Sequence, residues 1–77
     1  MNKTDVLRFI IDAIKLSNII HNRPMYYDDN NSRLLEIFRR VENRFNIPLD
    51  DDEDTLVELF GYDGFYRIRE AEADEFR

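Results

Sequence analysis

Cysteine and tryptophan are absent from this 77-residue chain, which also has only two glycines, two prolines and one histidine. Without cysteine, neither a disulfide framework nor a thiolate zinc site can form, and the absence fits a reducing compartment. Two glycines, Gly61 and Gly64, cannot build a glycine-rich loop that cradles phosphate. No run of apolar residues approaches the roughly 18 needed to span a bilayer. Residues 1–7 lack the basic-then-apolar layout of a signal peptide, and Asp5, Arg8, Asp12 and Lys15 break the nearest apolar stretch. The expectation is a cytoplasmic protein that does not engage a membrane.

Apolar residues make up 43% of the chain, with six phenylalanines and four tyrosines. That is too rich for a disordered segment and points to one globular domain over residues 1–77. A domain this small buries only about 60–65% of its unfolded surface. Its core supplies roughly 3–5 kcal/mol, so a second subunit is the simplest remaining support. Charge is unevenly spread. Residues 1–45 carry eight Lys/Arg against six Asp/Glu, whereas residues 46–77 carry three Arg against eleven Asp/Glu, within a formal net charge of −6. An acidic half of this kind disfavours direct contact with nucleic acid and favours a basic partner.

Three segments have the apolar spacing of helices. The first opens with Thr4 as expected N-cap and Asp5 in its first turn, and stops near His21 or Asn22 because Pro24 restricts Arg23 to extended geometry. Val6, Leu7, Phe9, Ile10, Ala13, Ile14, Leu16 and Ile20 share one broad arc. Asp5, Arg8, Asp12, Lys15 and Asn18 take the other side, together with Ile11 and Ile19. Apolar over more than half its girth, this helix is expected to lie centrally or to meet a second copy. A connector holding Met25, Tyr26 and Tyr27 and the polar turn residues 28–31 follows. The second helix begins at Asn31 or Ser32 and runs to about Asn46, with Leu34, Ile37, Phe38, Val41 and Phe45 inward and Glu36, Arg39, Arg40, Asn43 and Arg44 wet. Pro48 closes it. Asp50 and Glu53 have capping-box spacing ahead of a short third helix that carries Leu56, Val57, Leu59 and Phe60 and ends at Gly61. Residues 67–76, rich in Arg, Glu and Ala, favour another helix, although residues 65–70 could instead alternate as a strand against residues 25–27. The fold class is all-α: a small bundle of three to four short helices, with that minor pairing as the alternative.

Catalytic signals are sparse. His21 sits at a helix end with no nucleophile or orienting acid recognisable beside it in sequence, and there is no Gly-x-Ser-x-Gly elbow. Asp50, Asp52 and Asp54 have the alternation that opens a calcium loop, but the sixth position is Thr55 rather than glycine and the twelfth is Gly61 rather than glutamate. No enzyme activity, cofactor or metal is expected. The arginines of the second helix offer phosphate contacts or, more simply, a solvated face paired with nearby carboxylates.

The carboxyl half is more informative, because carboxylates and rings alternate there. Acidic side chains steer a basic protein, and aromatic side chains supply buried anchors. The expected partner-binding residues are Tyr62, Phe65 and Tyr66 as contacts, Asp51, Asp52, Glu53 and Glu58 as steering charges, and Tyr26 and Tyr27 as second choices. The expected function is a non-catalytic interaction module, regulatory or inhibitory, that binds a basic protein, nucleic-acid-binding proteins included. Small stand-alone chains of this kind are common among phage and mobile-element accessory proteins. The alternative is a structural subunit that forms a homodimer through the first helix.

The residues Leu35, Glu36, Ile37 and Val41, then Phe45, Asn46, Ile47, Pro48, Leu49, Asp50 and Asp51, resemble the second helix and following acidic turn of acyl carrier proteins. That resemblance covers roughly 25 residues and implies a helical carrier domain. Asn31 stands at the position of the family's phosphopantetheine-bearing serine, and its Asp-Ser-Leu signature reads Asn30, Asn31, Ser32 here. A degenerate acyl-carrier-like domain is therefore the third reading.

Overall fold

The computed structural model describes residues 2–27 and 32–74. Among them are three α-helices, α1 (Lys3–His21), α2 (Ser32–Phe45) and α3 (Glu53–Ala73), with a single 3-10 turn at Met25–Tyr27 between the first two. No strand occurs among the described residues, so residues 65–70 do not pair with residues 25–27. The fold is a small all-α bundle.

Polar side chains set the helix ends. Asn2, rather than Thr4, caps α1: its Oδ1 accepts from the Thr4 N–H at 2.9 Å, leaving Thr4 inside the helix. At the other end Asn22 takes left-handed geometry, and the Arg23 N–H returns to the Asn18 carbonyl at 3.1 Å. Asn46, also left-handed, closes α2 by donating to Glu42 O at 2.8 Å. The cap of α3 is Asp52, not Asp50. Its carboxylate accepts from the Thr55 N–H at 2.7 Å and from Thr55 Oγ1 at 3.0 Å. Asp50 lies too early and turns to Arg39 instead, 3.8 Å away. The expected cap Asn31 lies outside the described residues.

The third helix is bent rather than ended at Gly61, whose φ of 76° and ψ of 172° are not helical. Such a dihedral pair is open to glycine alone. A straight helix would carry Asp51 more than 20 Å from Arg69. Their side chains form an ion pair at 2.7 Å, so the chain doubles back at Gly61 into arms 53–60 and 62–73. The turn is tight: a Cβ on Gly64 would stand 2.5 Å from Phe60 Cβ and 3.3 Å from Leu7 Cδ2.

Helix α1 is central, with α2 along one side and α3 along the other. Phe9 meets Phe45, and Ser17 meets Arg33, so α1 and α2 run antiparallel. Leu7 lies by Gly64 and Asn18 by Ala71, so residues 62–73 run parallel to α1. The core is formed by Val6, Ile10 and Ile14 of α1, Leu34, Phe38 and Val41 of α2, and Leu56 and Ile68 of α3, closed by Met25 and Leu49.

The buried arc of α1 is rotated from the sequence-based expectation. Ile11 and Asn18 are buried, whereas Leu16 and Ile20 are exposed, as is Ile19. The cause is the helix's wide apolar girth: periodicity permits several arcs, and α3 selects the edge bearing Leu7, Ile11 and Asn18.

Candidate partner-binding surface

The rings expected to meet a partner divide into three places. Tyr62 and Tyr66, one turn apart on arm 62–73, are each 60% exposed and stack with centroids 6.3 Å apart at 29°. Phe65, by contrast, is only 9% exposed and belongs to the core. Its neighbours on the helix explain this, since Phe65 shares the inward face with Gly64 and Ile68. Phe65 is thus removed from the contact set. It supports Tyr66 from beneath, with ring centroids 5.4 Å apart, and is covered by the Arg69 guanidinium at 5.0 Å.

Tyr26 and Tyr27 are also exposed and meet edge to face at 5.2 Å. They sit where α1 ends, because Met25 beside them donates its N–H to Asn18 Oδ1 at 2.9 Å. Tyr62 lies at the opposite end, near the Gly64–Leu7 contact. The two tyrosine pairs therefore form separate patches.

The acidic run is likewise divided, with part of it engaged in holding the fold. Asp50 faces Arg39, Asp51 pairs with Arg69, and Asp52 caps α3. Asp51 Oδ1 is buried against the Arg69 guanidinium, its ion-pair partner at 2.7 Å. Glu53, Asp54, Glu58, Asp63 and Glu70 are exposed and make no ion pair among the described residues. Glu70 lies one turn beyond Tyr66, and Asp63 is next to Tyr62. Arg67 is exposed on the same arm. The available acidic aromatic surface thus centres on Tyr62, Tyr66, Asp63 and Glu70, while Glu58 is exposed on the other arm beside the connector residues Pro48 and Leu49. Asp51 is withdrawn from it, and Asp52 has a structural task.

Two ion clusters fix the chain, one within α3 and one between α2 and the connector. Arg69 bridges Glu72 at 2.6 Å and Asp51 at 2.7 Å. Burial works against the Arg69 cation, yet the hydrogen bonds and charges of Glu72 and Asp51 outweigh it and hold its pKa above the ordinary arginine value. For Glu72 the balance tips the other way: burial raises its carboxyl above the usual range even though Arg69 opposes the shift. On α2, Glu42 takes hydrogen bonds from Arg39 and from the Leu49 N–H, the latter at 3.0 Å. Those bonds lower its carboxyl pKa, Arg39 contributing most. This cluster fastens the connector after Pro48 to α2.

His21 Nδ1 stands 3.0 Å from the Ser17 carbonyl oxygen and 3.5 Å from Ser17 Oγ. A carbonyl only accepts, so Nδ1 carries the proton and has no lone pair to activate the serine. Among the described residues, no group of three or more histidine or acidic side chains is placed to hold a metal ion. No helix of the described residues is long and apolar enough to cross a membrane. The acyl-carrier position Asn31 lies outside the described residues, and an asparagine has no hydroxyl to esterify.

Comparison with protein-family models, with curated proteins and with solved structures returned no match.

Proposed function

We propose that this protein is a non-catalytic interaction module, regulatory or inhibitory in action, that engages a basic protein through the acidic aromatic surface of α3. One observation carries this reading: Tyr62 and Tyr66 stack side by side in solvent, next to Asp63 and Glu70, which make no ion pair among the described residues. Two rigid rings lose little conformational entropy on docking, and tyrosine is enriched among residues whose truncation costs about 2 kcal/mol or more of binding. Glu58, Asp63 and Glu70 accelerate encounter with a basic surface and make it sensitive to salt. Tyr26 and Tyr27 form a subsidiary patch at the other end.

The test is affinity capture from the native cell with the wild-type chain and a Tyr62→Ala/Tyr66→Ala variant. A basic protein retained at low salt, released at high salt and lost with the variant is the expected result. Retention of the same proteins by the variant contradicts the choice of surface.

A further inference from the structure

We infer that the cleft between the connector after α2 and the first arm of α3 is a docking site for the side chain of a lysine on a protein partner. It lies apart from the stacked tyrosines of arm 62–73, and the inference does not rest on their proposed role. The cleft holds about 270 Å³ and is lined by Pro48, Leu49, Asp50, Thr55, Glu58 and Leu59. Its apolar floor is fixed, because Leu49 is only 1% exposed and Leu59 packs against the core. Pockets for small molecules run to roughly 300–1,000 Å³ and enclose most of their ligand. This cleft is smaller and open on one side, so it suits a single side chain presented from outside.

Hydrogen bonding and charge select the occupant. Pro48 has no N–H, and the Leu49 N–H is taken by Glu42 Oε2 at 3.0 Å. Thr55 gives its N–H to Asp52 Oδ1 at 2.7 Å and its hydroxyl proton to Asp52 Oδ2 at 3.0 Å. The polar side chains of the lining are therefore acceptors only: the carboxylates of Asp50 and Glu58, and Thr55 Oγ1. Thr55 and Glu58 are three residues apart on α3 and so share one side of it. Glu58 is exposed and makes no ion pair among the described residues. Arg39 does not fill the cleft: its Nη1 is committed to Glu42, and its Nη2 stands 3.8 Å from Asp50, beyond hydrogen-bond length. An anion finds no side-chain donor here, whereas a cation on an aliphatic stem matches both halves of the lining. Lysine lays its methylenes along Pro48 and Leu59 and brings three ammonium protons to three acceptors. The rigid planar fork of arginine suits one carboxylate at a time and matches acceptors from separate elements less well.

The experiment is a titration of the full chain at low salt with the peptide acetyl-Gly-Lys-Gly-amide, followed through the backbone amide resonances of Leu49, Thr55, Glu58 and Leu59. Saturable shifts at these amides are expected, with a Kd on the order of millimolar, the strength of one side chain. The same peptide with norleucine for lysine, which keeps the stem and lacks the charge, should bind at least about tenfold more weakly. The arginine counterpart should also bind more weakly than lysine. Glu58→Gln, at an exposed position, should weaken the lysine peptide about threefold to tenfold with unchanged circular dichroism. Tyr62→Ala, on the other arm, should leave its affinity unchanged. The proposal is overturned by lysine-peptide shifts that never saturate, or by norleucine binding equal to lysine. An arginine peptide bound as tightly overturns the choice of occupant. Full affinity in Glu58→Gln, or a loss in Tyr62→Ala, overturns the choice of cleft.

Discussion

The side-chain amide of Asn18 donates to the main-chain oxygen of Ala71 at 3.1 Å, across 53 residues of sequence. Its Oδ1 accepts the Met25 N–H, and its own carbonyl accepts from Arg23. One buried polar residue thus joins the end of α1, the 3-10 turn and the last turn of α3. Replacing it with leucine keeps the volume but leaves a buried backbone N–H and a carbonyl without these partners. Asn18→Leu is expected to destabilise the fold by about 2–4 kcal/mol in chemical denaturation. A change below about 0.5 kcal/mol would mean that water satisfies both groups.

The bend at Gly61 and the close approach at Gly64 make separate demands. Gly61→Ala forces a side chain into a glycine-only dihedral region, at a cost of about 1–3 kcal/mol, although nothing lies within 4 Å of the added carbon. Gly64→Ala keeps helical geometry but drives a methyl into Phe60 and Leu7, a packing penalty of about 1–3 kcal/mol. Each should lower the melting temperature by several degrees, roughly 4–8 °C per kcal/mol for a domain of this size. An unchanged melt for Gly61→Ala would contradict the doubled-back path.

Glu72 and Glu42 should respond to pH with opposite sign. Glu72 has a raised carboxyl pKa, so its contribution is fully present below the unfolded value near ~4.3 and is lost as pH rises through the folded value. Glu72→Gln keeps the neutral shape, and Arg69 keeps Asp51. This variant is expected to melt above the wild type at pH 7, with the gap closing in acid. Glu42 has a lowered pKa, so its contribution is present above ~4.3 and is lost as pH falls through the folded value. Glu42→Gln should melt below the wild type at pH 7 and converge with it in acid. Thermal melts between pH 3 and pH 7 check both signs, a range set by the unfolded carboxyl value.

Much of the fold was legible because its strongest signals are local. The stripe Leu34, Ile37, Phe38 and Val41 located α2, and Pro24 and Pro48 bounded the elements around it. What escaped depends on contacts distant in sequence. Asn18 reads as a surface residue until Ala71 and Met25 are brought to it, and Ile11 reads as outward until α3 chooses that edge. Asp51 looked available because nothing in sequence connects it to Arg69, whose approach requires the bend at Gly61. Phe65 lies in an acidic stretch but beside Gly64, where close packing draws it inward. Tyr62 and Tyr66 escaped this reversal because their shared face points away from α1.

Truncating those tyrosines should separate binding from folding. Tyr62→Ala and Tyr66→Ala remove exposed rings, so each is expected to change stability by less than about 0.5 kcal/mol. Loss of partner affinity should reach about 2 kcal/mol or more for at least one of them. Paired measurements of melting and binding distinguish this from unfolding.

The most direct measurement of the central claim places a photo-reactive amino acid at position 62 and crosslinks in the native cell. The account predicts a covalent adduct with a basic protein, diminished by high salt after lysis and before irradiation, and missing when the probe stands at Lys3. Adducts at position 62 solely with acidic proteins, or none at any salt concentration, would contradict it.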